Sequence, residues 1–320
     1  MSKSHLYAKE VKEKLDKARN ITILTHLNPD ADTIGTGLGI FNILSKDKTK
    51  RIEIVNASNM LAKHLDFLPA YSKIKNKMDF EDSLIISCDC ANIDRLGFEL
   101  KGREIINIDH HKSNELYGDI NIVMPEYASA SQVAYELFKE LTPIDLNSAT
   151  CFYTALFSDT RHFTTSSVDE NVFKFATELV TLGVNPANVA KNCTQRKSLS
   201  SIRILNKALQ NLELSCDAQL ATLFVTYEDI LSTGATMPDV DGIVDYGKSL
   251  ATVKISVFYM ELEDSVRVSL RSKGIDVSSL AKKMGGGGHK VAAGFICEKR
   301  DLHEIIDILT KIIKESSLFD

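Results

Sequence analysis

The sequence predicts an α/β protein: an N-terminal open parallel sheet joined by a helical connector to a smaller C-terminal α+β domain. Three observations carry this. Apolar runs of strand length alternate with helix-period segments from about residue 4 to 160, the pattern of βαβ units and a parallel sheet. Three of those runs end in carboxylates or imidazoles, and in an open α/β sheet ligands gather outside the carboxyl ends of the strands. From Gln219 the pattern returns to strands and closes in a final helix. At 320 residues the chain has room for two domains, which typically take about 100–200 residues each.

In chain order, a leading helix near 5–18 precedes strands near 20–26, 51–56, 84–89 and 104–109. The helix after the first strand begins around Asp32 and contains Gly35, Gly37 and Gly39. Each glycine weakens a helix by up to about 1 kcal/mol relative to alanine, so close packing against the sheet is the expected reason for them. Helices follow over 129–141, 146–158 and 168–183, then a segment over 185–214 broken near Thr194, whose Lys191, Arg196, Lys197, Arg203 and Lys207 give it the character of a connector. Strands are expected over 220–226, 252–260 and 265–271, and a last helix over 302–315. The domain division read from this pattern is 1–184, 185–214 and 215–320.

Composition is that of a soluble globular protein, with 44% hydrophobic and 25% charged residues. No stretch approaches the roughly 18 apolar residues of a membrane span, and the start lacks a signal-peptide apolar core, so the expected compartment is the cytoplasm. A net charge of −5 argues against a broad footprint for long nucleic acid, though not against a small anionic substrate. The six cysteines at 88, 90, 151, 193, 216 and 297 form no zinc-type pairs and read as reduced core thiols. Cys88 and Cys90 flank Asp89, and on a strand both would point away from it.

The chemistry lies in the strand ends. One apolar run reaches His26 and then Asn28-Pro29-Asp30-Ala31-Asp32; another ends in Asp89; a third ends in Asp109-His110-His111; and the apolar helix Leu146 to Ser158 leads to Asp159. Singly, each residue has an ordinary role: Asp30 or Asp32 as a helix cap, Asp159 as a cap or a partner of Arg161, His26 as a strand-end histidine. Jointly, four aspartates and two histidines exceed the needs of one ion and suit a dinuclear site with about 3.5–4 Å between metals. Mixed oxygen and nitrogen donors favour Mn²⁺ over Mg²⁺, with Fe²⁺, Co²⁺ and Zn²⁺ chemically compatible. Downstream, Gly285-Gly286-Gly287-Gly288-His289-Lys290 lets backbone N–H groups approach an anion, and Arg271 closes a strand with a guanidinium able to fork a phosphate.

This ordered set, His26-x-Asn28-Pro29-Asp30-x-Asp32, Asp89, Asp109-His110-His111, Asp159 and Gly285 to His289, resembles the DHH/DHHA1 phosphoesterases, nearest to the nanoRNase and pAp-phosphatase branch. The resemblance spans nearly the whole chain. It implies a DHH metal domain and a DHHA1 substrate domain, and a two-Mn²⁺ enzyme that hydrolyses short oligoribonucleotides, linear dinucleotides such as pGpG, or pAp to nucleoside monophosphates. It further implies that His26, Asp30 and Asp89 hold one metal and Asp32, Asp89, His110 and Asp159 the other. His111 would face the scissile phosphate and Asp109 would orient the neighbouring histidine. Arg271 and His289, with Gly285, Gly286, Gly287 and Gly288, would contact the substrate. The partner implied is a short single-stranded RNA or small nucleotide, with no membrane and no long duplex, and a homodimer stays open. Two positions depart from the family pattern: Arg161-His162-Phe163 replaces a glycine-rich continuation, and Ala31 stands where glycine is usual. The rival readings are a phosphoanhydride hydrolase of the pyrophosphatase or exopolyphosphatase type, and a nucleotide-binding regulatory protein without turnover.

Overall fold

Runs rich in isoleucine, valine and leucine, too short for helices and buried on both faces, pair side by side in the first part of the chain. The structure is a computed structural model describing residues 3–298, 301–316 and 318–319, and it divides into two compact units, Met1–Arg196 and Lys197–Asp320. In the first unit, α1 (Lys3–Lys17) is followed by β1 (Asn20–Thr25), α2 (Ala31–Leu44), β2 (Arg51–Asn56), β3 (Ile74–Lys75), β4 (Leu84–Cys88), β5 (Ile105–Asp109) and β6 (Ile120–Val123). The strands form one parallel sheet in the order β3-β2-β1-β4-β5-β6. The order reverses between β1 and β4, and the crevice outside the carboxyl ends of those strands is where such folds bind ligands.

Four helices complete this unit: α3 (Ala130–Phe138), α4 (Leu146–Asp159), α5 (Glu170–Thr181) and α6 (Pro186–Thr194). The main core, which includes Ile21, Ile23, Ile86, Ile108, Leu38 and Phe152, fills one side of the sheet; Leu24, Val55, Ile85 and Leu96 belong to a separate cluster. The sheet has two strands beyond those expected, β3 and β6, each too short for its alternation to stand out. Cys88 and Cys90 do not share a face as strand alternation predicts: Cys88 joins the main core and Cys90 the other cluster. The reason is Asp89, which lies past the end of β4 with φ +55° and breaks the alternation. All six cysteines are free thiols.

The glycines of α2 also differ from expectation. Only Gly37 faces the sheet, where an added Cβ would sit 2.9 Å from Thr25 and 3.2 Å from Ile54. Gly35 and Gly39, four residues apart and so on one helix face, admit α4 instead: a Cβ would lie 2.6 Å from the Cys151 carbonyl oxygen at Gly35 and 2.3 Å from the Phe152 ring at Gly39. Gly35→Ala is therefore expected to cost about 1–3 kcal/mol by overpacking, more than the up to ~1 kcal/mol that alanine returns in helix propensity. An unchanged urea midpoint would contradict this close approach of α2 and α4.

The second unit begins with α7 (Leu199–Gln210) and continues through β7 (Glu213–Ser215), β8 (Leu220–Val225), α8 (Tyr227–Thr233), α9 (Ile243–Ser249), β9 (Ile255–Glu261), β10 (Ser265–Ser272), α10 (Ser278–Lys283), β11 (Gly287–His289), β12 (Ala292–Glu298) and α11 (Leu302–Glu315). Its sheet, ordered β11-β12-β10-β9-β8-β7, is antiparallel except for the β8–β9 pair. The stretch expected as a connector is divided between the units: Val189 of α6 packs in the first core and Ile204 and Ala208 of α7 in the second unit. Among the described residues no helix is long and apolar enough to cross a membrane.

Candidate metal centre

The site is built where three strands stop. His26 follows β1, Asp89 follows β4 and Asp109 ends β5. Asp89 sits in the left-handed region, which aspartate tolerates better than most residues; its backbone N–H donates to the Ile108 carbonyl at 2.9 Å, tying the end of β4 to β5. Pro29 leads into Asp30, whose Oδ1 caps α2 by accepting from the Asp32 and Thr33 amides at 3.0 and 3.1 Å. Its other oxygen, Oδ2, stands 3.7 Å from His26 Nε2. The cap and the ligand roles of Asp30 thus coexist, one on each oxygen.

Asp32 points elsewhere. It is buried, and its oxygens accept from the Ala130 and Ser131 amides at 2.8 and 3.3 Å and from Thr36 Oγ1 at 3.1 Å. The carboxylate is thereby fixed on the N-terminus of α3, where the helix dipole favours an anion. The Ser129-Ala130-Ser131 turn that supplies these amides went unnoticed in the sequence, although Ser129 is an N-cap of recognisable type, accepting from Gln132 N.

These side chains converge into three overlapping triads. His26, Asp30 and Asp89 form the first, Asp32, His110 and Asp159 the second, and Asp89, His110 and His111 a third, with ligand atoms within 4.8 Å of one another in each. Asp89 joins them: Oδ2 is 3.6 Å from His26 Nε2 and Oδ1 is 3.5 Å from His110 Nε2. His110 Nε2 is also 3.7 Å from Asp32 Oδ2 and 3.6 Å from Asp159 Oδ2. Both imidazoles have their Nδ1 occupied by backbone carbonyls, Leu27 at 2.9 Å and Tyr127 at 3.2 Å, which as acceptors fix the tautomer and leave Nε2 for the cluster. Arg95 Nη2 stands 3.1 Å from His26 Nδ1, a neighbour that no spacing in the sequence announces.

Asp109 is fully buried and organises the other histidine. Its Oδ1 is 2.8 Å from His111 Nδ1 and accepts the His110 amide at 2.8 Å, while Oδ2 accepts from Asn114 Nδ2 at 2.6 Å. Asn114 is a second residue the sequence reading passed over; only its position five residues after Asp109 connects it. Burial would push the Asp109 carboxyl up, but His111, Asn114 and His110 hold it below the ordinary carboxylate range. It is an anion aimed at His111.

Without a cation the cluster is electrostatically unbalanced. Burial and the neighbouring Asp89 and Asp159 push the Asp32 carboxyl well above its usual range, and burial with Asp89 and Asp30 raises Asp159 to about 6. Burial opposes charge on His26 and His110, yet their aspartate neighbours raise each to about 10. Asp89 Oδ1 is buried with no hydrogen-bond partner, a costly state for a carboxylate oxygen. A divalent cation relieves each of these at once, so the donor set fits one. Histidines whose folded pKa lies above the unfolded value of about 6.5 stabilise the metal-free protein below that pH and lose the contribution as pH rises toward 10; Asp159 acts in the same direction between about 4 and 6. The melting temperature of the metal-free protein is therefore expected to fall from pH 6.5 to 10, and Mn²⁺, which displaces the same protons, to flatten that decline. A flat profile without metal would contradict the charge state described here.

In the second unit, Arg271 and His289 lie on one rung of the sheet. Both pair with Ala292 of β12, from opposite sides, so their side chains share a face. Part of the glycine run is strand: Gly287 and Gly288 belong to β11, and a Cβ at Gly286 would collide with the Gly294 carbonyl oxygen and one at Gly288 would lie 2.5 Å from the Ala293 Cα. Two of the four glycines thus answer to close strand packing. Gly285 has φ +80° and Gly287 faces open space.

The model of the DHH family, N-terminal domain, matches residues 20–156, and that of the DHHA1 domain matches residues 217–315. The chain belongs to the DHH/DHHA1 phosphoesterase family. Two relatives bear the name bifunctional oligoribonuclease and PAP phosphatase NrnA. The Bacillus subtilis (strain 168) protein is 28% identical over 280 residues, covering 86% of this chain and 88% of its own length. The Thermus thermophilus protein is 29% identical over 302 residues, covering 92% and 89%. The fold of this DHH/DHHA1 protein matches the crystal structure of an exopolyphosphatase-related protein from Bacteroides fragilis with a TM-score of 0.90 at 23% identity, covering 98% of each chain. That likeness is one of fold.

Proposed function

We propose that this chain is a Mn²⁺-dependent, two-metal phosphoesterase that hydrolyses short oligoribonucleotides, linear dinucleotides such as pGpG, and pAp to nucleoside monophosphates in the cytoplasm. The observation that carries the reading is Asp89, one carboxylate set between the His26 and His110 sides of the cluster, with a buried oxygen that accepts no hydrogen bond. His26, Asp30 and Asp89 would hold one ion; Asp32, Asp89, His110 and Asp159 the other. When bound, a divalent pair activates water and offsets charge on the phosphoryl oxygens. His111, held through Nδ1 by Asp109, presents its other nitrogen to the scissile phosphate and can exchange a proton with it. The names of the relatives support the choice of short RNA and pAp as substrates. The domain division proposed is a DHH domain over 1–184, a connector over 185–214 and a DHHA1 domain over 215–320.

Arg271 and His289, with the glycine run Gly285 to Gly288, contact the phosphate or nucleoside away from the scissile bond. Arg271→Ala is expected to lower kcat/KM for pAp and 5′-phosphorylated dinucleotides about ten- to hundredfold, the worth of a charge-assisted hydrogen bond. A chromogenic phosphodiester without a second phosphate should be affected far less. An equal loss on both would move Arg271 into the hydrolytic chemistry.

The reading is tested on metal-depleted protein reloaded with Mn²⁺ or Mg²⁺ and given a 5′-phosphorylated dimer, a pentamer, a strand of about two dozen residues, pAp and pyrophosphate. The acidic chain, with 7% aromatic residues, offers little of the positive, aromatic-lined track that long single strands need. The expected result is the highest kcat/KM on the dimer, pentamer or pAp with Mn²⁺, because imidazole donors join the carboxylates. Preference for pyrophosphate, or equal efficiency on the longest strand, overturns the substrate assignment.

A further inference from the structure

The turn that leaves α4 carries a strained arginine two residues after Asp159. Asp159 is the last residue of α4, and the chain then closes a C-cap in which Arg161 N–H donates to the Ser158 carbonyl at 2.9 Å and His162 N–H to the Phe157 carbonyl at 2.7 Å. This is the paired bonding of a Schellman motif, whose left-handed position is ordinarily glycine because a side chain is disfavoured there. Arg161 occupies it with φ +45°, and His162 and Phe163 follow at +62° and +63°. The turn is held firmly: Thr160, fully buried, donates through Oγ1 to Leu156 O at 2.7 Å and accepts the Phe163 amide at 3.2 Å, and the His162 ring stacks on Phe157 with 4.4 Å between centroids. Backbone strain enforced by its surroundings gathers at functional sites. Here it places an exposed guanidinium two residues, at most ~7 Å of chain, beyond a member of the second triad.

We propose that Arg161 is a substrate-contacting residue, donating from its guanidinium to a non-bridging oxygen of the phosphate that binds at the Asp32, His110 and Asp159 triad. The inference rests on the phosphoesterase reading above and adds to it a positive group on the metal unit itself. A guanidinium suits this task because its planar fork matches phosphate oxygens and its charge survives at any working pH. The competing role is structural: the C-terminus of α4 favours a cation, and its last turn has no basic residue. The two roles predict opposite effects on stability. If Arg161 only caps the helix, losing it lowers the melting temperature. If it is kept in a disfavoured conformation for the substrate, glycine relieves the backbone.

Arg161→Gly and Arg161→Asn, the latter because asparagine also accepts the left-handed region, are compared with wild type as Mn²⁺-loaded full-length protein. Both are expected to melt at or up to about 4 °C above wild type, to bind Mn²⁺ with an unchanged midpoint, and to lose about ten- to hundredfold in kcat/KM on pAp and on bis(p-nitrophenyl) phosphate alike. The thermal shift given by inorganic phosphate should shrink in parallel, which reads Arg161 independently of turnover. Activity within twofold of wild type with an unchanged phosphate shift overturns the proposal, and so does a melting temperature several degrees lower. Absence of hydrolysis in the wild type would instead refute the phosphoesterase reading, and the phosphate shift would still decide for or against Arg161.

Discussion

Asp89→Asn is expected to reduce phosphoester hydrolysis to background while leaving the fold intact. Asparagine keeps the shape of the side chain and tolerates φ +55°, so the turn after β4 survives; alanine would add a backbone penalty and confuse the result. What the substitution removes is one negative charge that faces both triads, at 3.6 Å from His26 Nε2 through one oxygen and 3.5 Å from His110 Nε2 through the other. Neither proposed ion would keep its full donor set, so loss is expected on every substrate and at every Mn²⁺ concentration. Circular dichroism should match wild type. Appreciable turnover with saturating Mn²⁺ would remove Asp89 from the centre of the site.

Asp109→Asn is expected to cost about 10²–10⁴-fold in kcat, the usual contribution of a positioned acid or base, with a much smaller effect on metal content. Asp109 reaches no metal triad directly. It accepts from the His110 amide and Asn114 and lies 2.8 Å from His111 Nδ1. An amide in its place turns one acceptor into a donor at the buried end of this network, leaving a polar group unpaired or turning His111 to the wrong tautomer. Stability should fall as well, since the side chain is fully buried. Measuring kcat and Mn²⁺ stoichiometry on the same sample separates the two roles: loss of both metals together with activity would make Asp109 a determinant of the ligand set instead.

Much of this site was legible in the sequence because the fold class sets the address. A parallel sheet brings strand ends together, so His26, Asp89 and Asp109-His110-His111 could be placed in one crevice before any coordinates, and the reversal of strand order between β1 and β4 lies at that point. The supporting contacts were not legible, because they come from the far side of chain connections. Ala130 and Ser131 reach Asp32 across almost a hundred residues, and Arg95 reaches His26 from a 3-10 turn, Ile93–Leu96. The second unit was harder. β11, α8, α9 and α10 are short, β12 opens on the small residues Ala292-Ala293-Gly294, and the glycines of β11 have no side chains to show a period of two; only the register reveals that Gly286 and Gly288 are needed by neighbouring backbone. In α2 the sequence pointed to glycines packed against the sheet, which holds for Gly37 alone; Gly35 and Gly39 admit α4, because a helix has two sides and periodicity does not say what covers the second.

The most direct test of the two-metal account is anomalous diffraction at the manganese edge from crystals grown with Mn²⁺. The prediction is two peaks per chain, about 3.5–4 Å apart, one beside His26 and Asp30, one beside Asp32, His110 and Asp159, with an Asp89 oxygen on each. A single peak, or two that share no Asp89 contact, would contradict it.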